Sequence, residues 1–250
     1  MIIAVAGGTG VVGRLVVEAA RAEGHQVSVL SRSTGTDLAT GSGLDAALDG
    51  VEAVVDASNI NTTGRRASVE FFEKTTGNLL RAGQRSGVKH LVALSIVGCD
   101  RVGLGYYAGK RRQEEQLLAG PVPASVLRAT QFHEFPAQLL ERVGGPFALV
   151  PRMRCQPVAA REVAESLLRL AGSAPVGMAP ELAGPEERDM ADLVRRLLRA
   201  RHSRRVPVPL RIPGAVGRLM GEGGLLPTGP GPRGTETFDQ WLARTGGALH

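Results

Sequence analysis

The apolar run Ile2-Ile3-Ala4-Val5-Ala6 leads directly into Gly7-Gly8-Thr9-Gly10-Val11-Val12-Gly13. Five apolar residues ended by a glycine cluster predict a short strand. Val11, Val12, Leu15, Val16, Ala19 and Ala20 then recur at i, i+4 and i+8, which predicts a helix with one buried stripe, closed by Gly24. A strand that turns on glycines straight into a helix opens a βαβ unit and restricts the chain to α/β folds.

The pattern repeats. Gln26–Leu30, Ala53–Ala57, Lys89–Ser95 and Ala124–Arg128 read as further strands. Helices are expected from Arg66 to Arg85, along Val69, Phe72, Thr76, Leu79 and Gly83, and from Tyr106 to Leu118, stopped by Gly120 and Pro121-Val122-Pro123. The expected fold is a doubly wound, Rossmann-type parallel sheet. After Leu149 the pattern loosens into helices at Arg161–Ala171, around Met190–Leu198 and around Thr237–Arg244, interrupted by the Gly/Pro stretch Gly221–Gly234. We therefore expect a nucleotide-binding core over residues 1–150 and a small substrate-side region over 151–250, packed as one unit.

The glycine turn has the context that a dinucleotide fingerprint requires. Gly7 allows the tight turn, Gly10 lets the backbone approach a pyrophosphate, and Gly13 lets the helix pack closely on the strand. Thr9, Val11 and Val12 line the same helix N-terminus, whose N–H groups and positive potential suit phosphates. The alternative is a turn that simply needs glycines. A site for NAD usually carries Asp or Glu at the end of the second strand, to bind the ribose 2′-OH. Here the strand ends Val29-Leu30-Ser31-Arg32-Ser33, with no carboxylate. Arg32 can pair with a 2′-phosphate through its planar fork, helped by the Ser31 and Ser33 hydroxyls, so NADP(H) is the expected cofactor. The alternative is that Arg32 is one surface arginine among many. By topology, Asp37-Leu38 should pass near the adenine and Ala57-Ser58-Asn59 beside the cofactor ribose.

Composition narrows the function by exclusion. Cys99 and Cys155 stand far apart without metal-ligand neighbours, so neither a disulfide framework nor a metal site is expected. No apolar run approaches the roughly 18 residues of a membrane span, and the opening residues do not read as a secretory signal. We expect a cytoplasmic protein without membrane partners. The net charge of +6 is carried almost wholly by arginine. Arg195, Arg196, Arg199, Arg201, Arg204 and Arg205 fall on the polar side of an amphipathic helix, with no interleaved aromatics to stack bases. A nucleic-acid partner is not expected; a small-molecule substrate is, and an oligomer of unspecified order is compatible with the sequence.

Tyr106-Tyr107-Ala108-Gly109-Lys110 places a phenol and an ammonium four residues apart, on one helical face. In a reductase the phenol can protonate an oxygen that gains charge as hydride reaches carbon, with the ammonium lowering the phenol pKa and anchoring the cofactor ribose. Thr130-Gln131-Phe132-His133-Glu134-Phe135 follows the fifth strand and should border the nicotinamide. Phe132 would pack on the ring and His133 would donate to substrate or cofactor; otherwise Phe132 and Phe135 are core anchors and His133 is solvated. Tyr107 is either a pocket wall or simple packing.

With the glycine turn, Arg32, Asp37-Leu38, VKHLVALSIVG, YYAGK and LRATQFHEF in view, the chain resembles the atypical short-chain dehydrogenase/reductases of the NmrA-like group. The resemblance is close over about residues 1–170. It implies a Rossmann domain, NADP(H) binding, and either a reductase of quinones, carbonyls or similar conjugated molecules or a redox-sensing regulator without turnover. Tyr106 and Lys110 would be the acid and the cofactor ligand, with the Ser95 hydroxyl on the substrate oxygen. Tyr107, His133 and Phe135 would line the substrate pocket, and Thr130 and Phe132 the cofactor. A third possibility is isomerase or lyase chemistry that uses bound cofactor catalytically.

Overall fold

The computed structural model describes residues 1–141 and 144–247. The chain divides into two compact units, Met1–Arg128 with Ala160–Ala179, and Ala129–Ala159 with Pro180–His250.

The first unit carries strands β1 (Ile2–Ala6), β2 (Gln26–Leu30), β3 (Ala53–Asp56), β4 (His90–Ile96), β5 (Ala124–Ala129, which reaches the boundary) and β8 (Gly177–Met178). They form one parallel sheet in the order β2-β1-β3-β4-β5-β8. Ile3 to Ala6 and Val54 to Asp56 are buried without exception, as a sheet covered on both faces requires. Alternate side chains define the faces. Ala4, Ala6, Val54, Leu91, Ala93 and Val126 join one cluster with Leu44 and Leu48 of α2 (Leu44–Ala47) and its sequel, Leu79 and Leu80 of α3 (Arg65–Arg85), and Leu117 of α4 (Gly105–Leu118). Helix α1 (Val11–Ala22) packs with α6 (Ala160–Ala171). The doubly wound sheet is thus as expected, and the first two strands begin and end at the expected residues. Its order is the one in which β1 lies between β2 and β3, which puts the topological switch point, and so the ligand crevice, at the carboxyl ends of β1 and β3.

The expected division at residue 150 is not the one the chain adopts. Helix α6 returns to the first unit because Ala160, Val163, Ala164, Leu167, Leu168 and Ala171 form an apolar stripe that is buried there beside α1. Residues 129–159, most of them expected in the first region, belong to the second unit instead.

The second unit holds α5 (Phe135–Glu141), β6 (Phe147–Pro151), β7 (Arg154–Cys155), β9 (Arg188–Asp189), α7 (Met190–Ala200), β10 (Val206–Leu210), α8 (Gly214–Gly221) and α9 (Phe238–Thr245). Strands β10 and β6 pair in parallel, and β7 and β9 antiparallel. Met190, Leu193, Val194 and Leu197 of α7 are fully buried with Trp241 of α9. The arginines of α7 and its sequel mostly serve this unit. Arg196 bonds Asp192 and Asp239, Arg201 bonds the Gly247 carbonyl, and Arg205 bonds the carbonyls of Leu140 and Phe147. Among the described residues no helix is long and apolar enough to cross a membrane.

Candidate cofactor crevice and the residues around it

The glycines of the first turn are not equivalent. Gly7 has φ of 73°, in the left-handed region, and a Cβ there would stand 2.7 Å from the Ala57 carbonyl oxygen and 2.8 Å from Ser58 Cα. The carboxyl ends of β1 and β3 therefore touch at Gly7. A Cβ on Gly13 would stand 2.1 Å from the Gly7 carbonyl oxygen, so this residue sets how closely α1 packs on the turn. Gly8, which the fingerprint leaves without a role, is also crowded, with Val29 Cγ1 2.9 Å from such a Cβ.

Gly10 differs. It is exposed, its backbone is extended (φ −81°, ψ 175°), and a Cβ would meet only the Gly7 oxygen, at 3.3 Å. The fold itself makes little demand for glycine here; a group approaching from outside would. Gly10 caps α1, no side chain caps that end, and no acidic residue occupies the first turn, so the helix itself carries nothing there that neutralises its positive potential. The Ser58 hydroxyl oxygen is buried and has no hydrogen-bond partner among the described residues. An open backbone cradle, an uncapped helix and an orphaned hydroxyl beside them fit a phosphate-bearing dinucleotide.

At the end of β2, Ser31 starts a 3-10 turn (Arg32–Thr34) and its hydroxyl bonds those of Ser33 at 2.9 Å and Thr34 at 3.2 Å. Arg32 is exposed, and its guanidinium has no partner among the described residues. Asp37 serves the loop: its Oδ1 accepts from Ala39 N (2.8 Å) and Thr40 N (3.3 Å). The Leu38 carbonyl accepts from Asn78 Nδ2 at 2.8 Å, and the Leu38 side chain packs on the core.

Helix α4 is pressed onto α3 at Gly109, where a Cβ would stand 2.1 Å from Ser68 Oγ. Ser68 Oγ in turn donates to the Tyr106 carbonyl at 2.8 Å. This contact decides where Tyr106 and Lys110 go, and they go to different places. The Tyr106 hydroxyl donates to Asn59 Oδ1 at 2.5 Å, at the end of β3. Burial, and secondarily the neighbouring Tyr107 and Asp56, push its phenol well above the usual range. Lys110 does not act to lower it, contrary to expectation. Tyr107 stands edge-on to Tyr106, with ring centroids 6.2 Å apart.

Lys110 is turned inward and is 4% exposed. Its Nζ donates to the Leu94 carbonyl (2.8 Å) and to Gln113 Oε1 (2.9 Å), and lies 4.3 Å from the centre of the Phe72 ring. With two donors bonded and the ring against the ammonium, the expected role as a ribose ligand does not fit this geometry. Burial lowers its pKa to about 8, against the pull of Asp56.

Ser95 also lies away from its expected place. It is 2% exposed, and its hydroxyl donates to Glu114 Oε1 at 2.5 Å. Glu114 is clamped by Arg128 through Nε (2.8 Å) and Nη2 (2.6 Å), and Arg128 also holds Asp100 at 2.8 Å. A hydroxyl committed to this buried ion pair is not presented to a substrate. Cys99 bonds the same Glu114 oxygen at 3.3 Å.

The other candidates lie in the second unit. Thr130 is buried and its hydroxyl donates to the Gln156 carbonyl at 2.6 Å. Phe132 bridges to Val158, and Phe135 opens α5 half-buried. His133 is neither solvated nor placed as a pocket donor. It is fully buried, with Nε2 donating to the Glu236 carbonyl at 3.0 Å and its ring 5.8 Å from that of Phe238 and 5.9 Å from that of Trp241. Its core role needed Phe238 and Trp241, far along the chain, which no local pattern signals.

Residues 3–125 match the NAD dependent epimerase/dehydratase family. A curated relative, the Photosystem II assembly factor Ycf39 of Synechocystis sp., is 32% identical over 111 residues, 39% of this chain; the chain covers about a third (34%) of that relative's length. Among solved structures, a short-chain dehydrogenase/reductase superfamily protein from Agrobacterium tumefaciens with bound NAD has a TM-score of 0.71 at 20% identity, covering 98% of this chain and 96% of that one. The dTDP-glucose 4,6-dehydratase DesIV from Streptomyces venezuelae, with NAD and TYD bound, has a TM-score of 0.74 at 18% identity over the same shares. UDP-glucose 4-epimerase from Thermus thermophilus, in complex with NAD, reaches 0.67 at 17% identity, covering 98% and 93%. The doubly wound α/β fold that the resemblance implied is borne out by these structures.

Proposed function

We propose that this chain is a short-chain dehydrogenase/reductase that binds NADP(H) at the Gly7–Gly13 turn and reduces a quinone, carbonyl or similar conjugated small molecule. The observation that carries the reading is Arg32: an exposed guanidinium without a partner among the described residues at the end of β2, where a site for the unphosphorylated cofactor would carry an acid. Gly7, Gly10, Gly13 and the start of α1 would hold the pyrophosphate, Arg32 with Ser31 and Ser33 the 2′-phosphate, and Ser58 the ribose side of the crevice. When bound, the cofactor supplies hydride.

The chain's own contribution to chemistry rests on Tyr106. Its phenol is protonated at neutral pH, as an ordinary tyrosine is, and so can donate a proton there; the upward push from burial makes it a weaker acid, so its placement and not its pKa supports the role. Asn59 Oδ1 holds the hydroxyl hydrogen at the end of β3 until an acceptor oxygen replaces it. The proton then passes from Tyr106 Oη to the substrate oxygen as carbon gains hydride, and solvent restores it. Two free, buried cysteines suit a reducing cytoplasm.

The match of residues 3–125 favours a second reading, epimerase or dehydratase chemistry in which bound cofactor is reduced and reoxidised within one turnover. That chemistry has no need of a 2′-phosphate, and Arg32 therefore argues for the reductase. A regulator that senses the NADP(H) ratio remains the non-enzymatic alternative. NADPH oxidation followed with a panel of quinones and carbonyls separates the three. The reductase reading expects acceptor-dependent loss of NADPH absorbance that falls on Tyr106→Phe. Conversion of a nucleotide sugar with no net absorbance change would establish the second reading, and tight NADPH binding with no turnover of any acceptor would point to the sensor.

A further inference from the structure

Between α4 and β3 runs a buried line of polar groups that the proposed chemistry does not use. Lys110 Nζ donates to Gln113 Oε1 at 2.9 Å, and Gln113 Nε2 donates to Asp56 Oδ2 at 2.8 Å. Asp56 Oδ1 accepts from the backbone N–H of Ser58 at 2.9 Å. Asp56, Gln113 and Lys110 are 0%, 1% and 4% exposed. The amide cannot be reversed: an ammonium only donates and a carboxylate only accepts, so each neighbour fixes one end of Gln113. A cation and an anion are thereby joined through a neutral bridge, in a place where either alone would be left uncompensated.

The line ends on the wall of the cofactor crevice. Ser58 and Ala57 are the residues that Gly7 touches, and the Ser58 hydroxyl is the orphaned one. Helix α4 holds this segment a second time through Tyr106 and Asn59. The geometry points to Gln113 as a positioning residue for cofactor binding: with Lys110 behind it, it holds Asp56, and through Asp56 it holds Ala57-Ser58-Asn59 against the glycine turn. Lys110 acts on the cofactor through this line and does not touch it. The inference rests on the reading that the crevice binds NADP(H).

A donor–acceptor exchange tests it on the full chain. Gln113→Glu sets a second carboxylate against Asp56 with no donor between them. Asp56→Asn with Gln113→Glu restores the bond in the opposite sense, Asn amide to Glu carboxylate, while the Asn oxygen still accepts from Ser58. Two readouts are taken: hydrogen exchange of residues 57–60 without cofactor, with the His90–Ser125 region as control, and NADPH affinity by fluorescence titration. We expect the single change to speed exchange at 57–60 selectively and weaken NADPH binding roughly tenfold, and the double change to bring both back to within about threefold of wild type. Should Gln113→Glu fail to fold, recovery of folding and of protection at 57–60 in the double variant supports the inference equally. Unchanged exchange at 57–60, uniformly raised exchange with NADPH affinity intact, or a double variant no better than the single overturns the inference. If the wild type binds neither NADPH nor NADH, the proposed function fails, and the exchange readout alone still decides whether the line holds the segment.

Discussion

The Tyr106 hydroxyl donates a 2.5 Å hydrogen bond to Asn59 Oδ1, while Lys110, one helical turn further along α4, points into the protein interior. A tyrosine and a lysine four residues apart thus share a helix and not a task. Tyr106→Phe removes the acid on which the proposed chemistry rests and is expected to lower kcat roughly a hundredfold or more, with cofactor affinity falling at most about threefold because the Gln113–Asp56 line still holds the segment. Steady-state turnover and NADPH titration of the variant check it. An unaltered kcat would remove Tyr106 from the chemistry.

Gly10 and Gly13 lie three residues apart and should respond in opposite ways to the same methyl group. Gly13→Ala forces a Cβ against the Gly7 carbonyl and is expected to destabilise the fold by about 1–3 kcal/mol. Gly10→Ala meets the same oxygen only at 3.3 Å and is expected to leave the melting temperature nearly unchanged while weakening NADPH binding. Thermal melts with and without NADPH separate the two effects.

His90 carries a pH dependence. It is buried at the start of β4, with Nε2 2.8 Å from Ser125 Oγ. The same hydroxyl accepts from Val176 N at 3.0 Å, which ties the buried imidazole to the end of the sheet. Burial lowers the His90 pKa below 6.5. The unfolded chain therefore binds the proton first as pH falls, and stability contributed above pH 6.5 is lost as pH drops from there through the folded pKa. Urea unfolding at neutral and at mildly acidic pH should show this loss, and His90→Gln should reduce it. Equal pH dependence in both proteins would assign the effect elsewhere.

Cys99 and Cys155 are both buried, and burial pushes each thiol up to about 12. Neither supplies thiolate at neutral pH. Native protein should resist iodoacetamide near neutral pH for hours, and denatured protein should take up label at both thiols. Rapid labelling of the native fold would contradict this packing.

Much of the first unit was legible in the sequence because its signals are local. Strand β1 and helix α1 are written in an apolar run, a glycine cluster and a helical period, and the loop at Ala57-Ser58-Asn59 meets the glycine turn as the topology requires. What was not legible depends on contacts between distant residues. The inward course of Lys110 follows from Gly109 resting on Ser68, and the loss of Ser95 to Glu114 follows from Arg128, neither of which spacing reveals. In the second unit, β10 reads Val206-Pro207-Val208-Pro209-Leu210 and β6 ends in Pro151. Proline normally argues against a strand, and these are tolerated because the two-stranded ribbon leaves an edge of β10 unpaired. Strands of two residues, such as β7 and β9, carry no periodicity at all. The return of α6 to the first sheet was hidden because a helix stripe shows that a face is buried and not against which sheet.

The claim on which the account stands is that Arg32 selects a phosphorylated cofactor. The most direct measurement is the dissociation constant of NADPH and of NADH for the wild type and for Arg32→Ala. The wild type is expected to prefer NADPH, and Arg32→Ala to weaken NADPH by roughly tenfold to a hundredfold with NADH unaffected. Equal affinity for both cofactors in the wild type, or an equal loss of both in the variant, would contradict it.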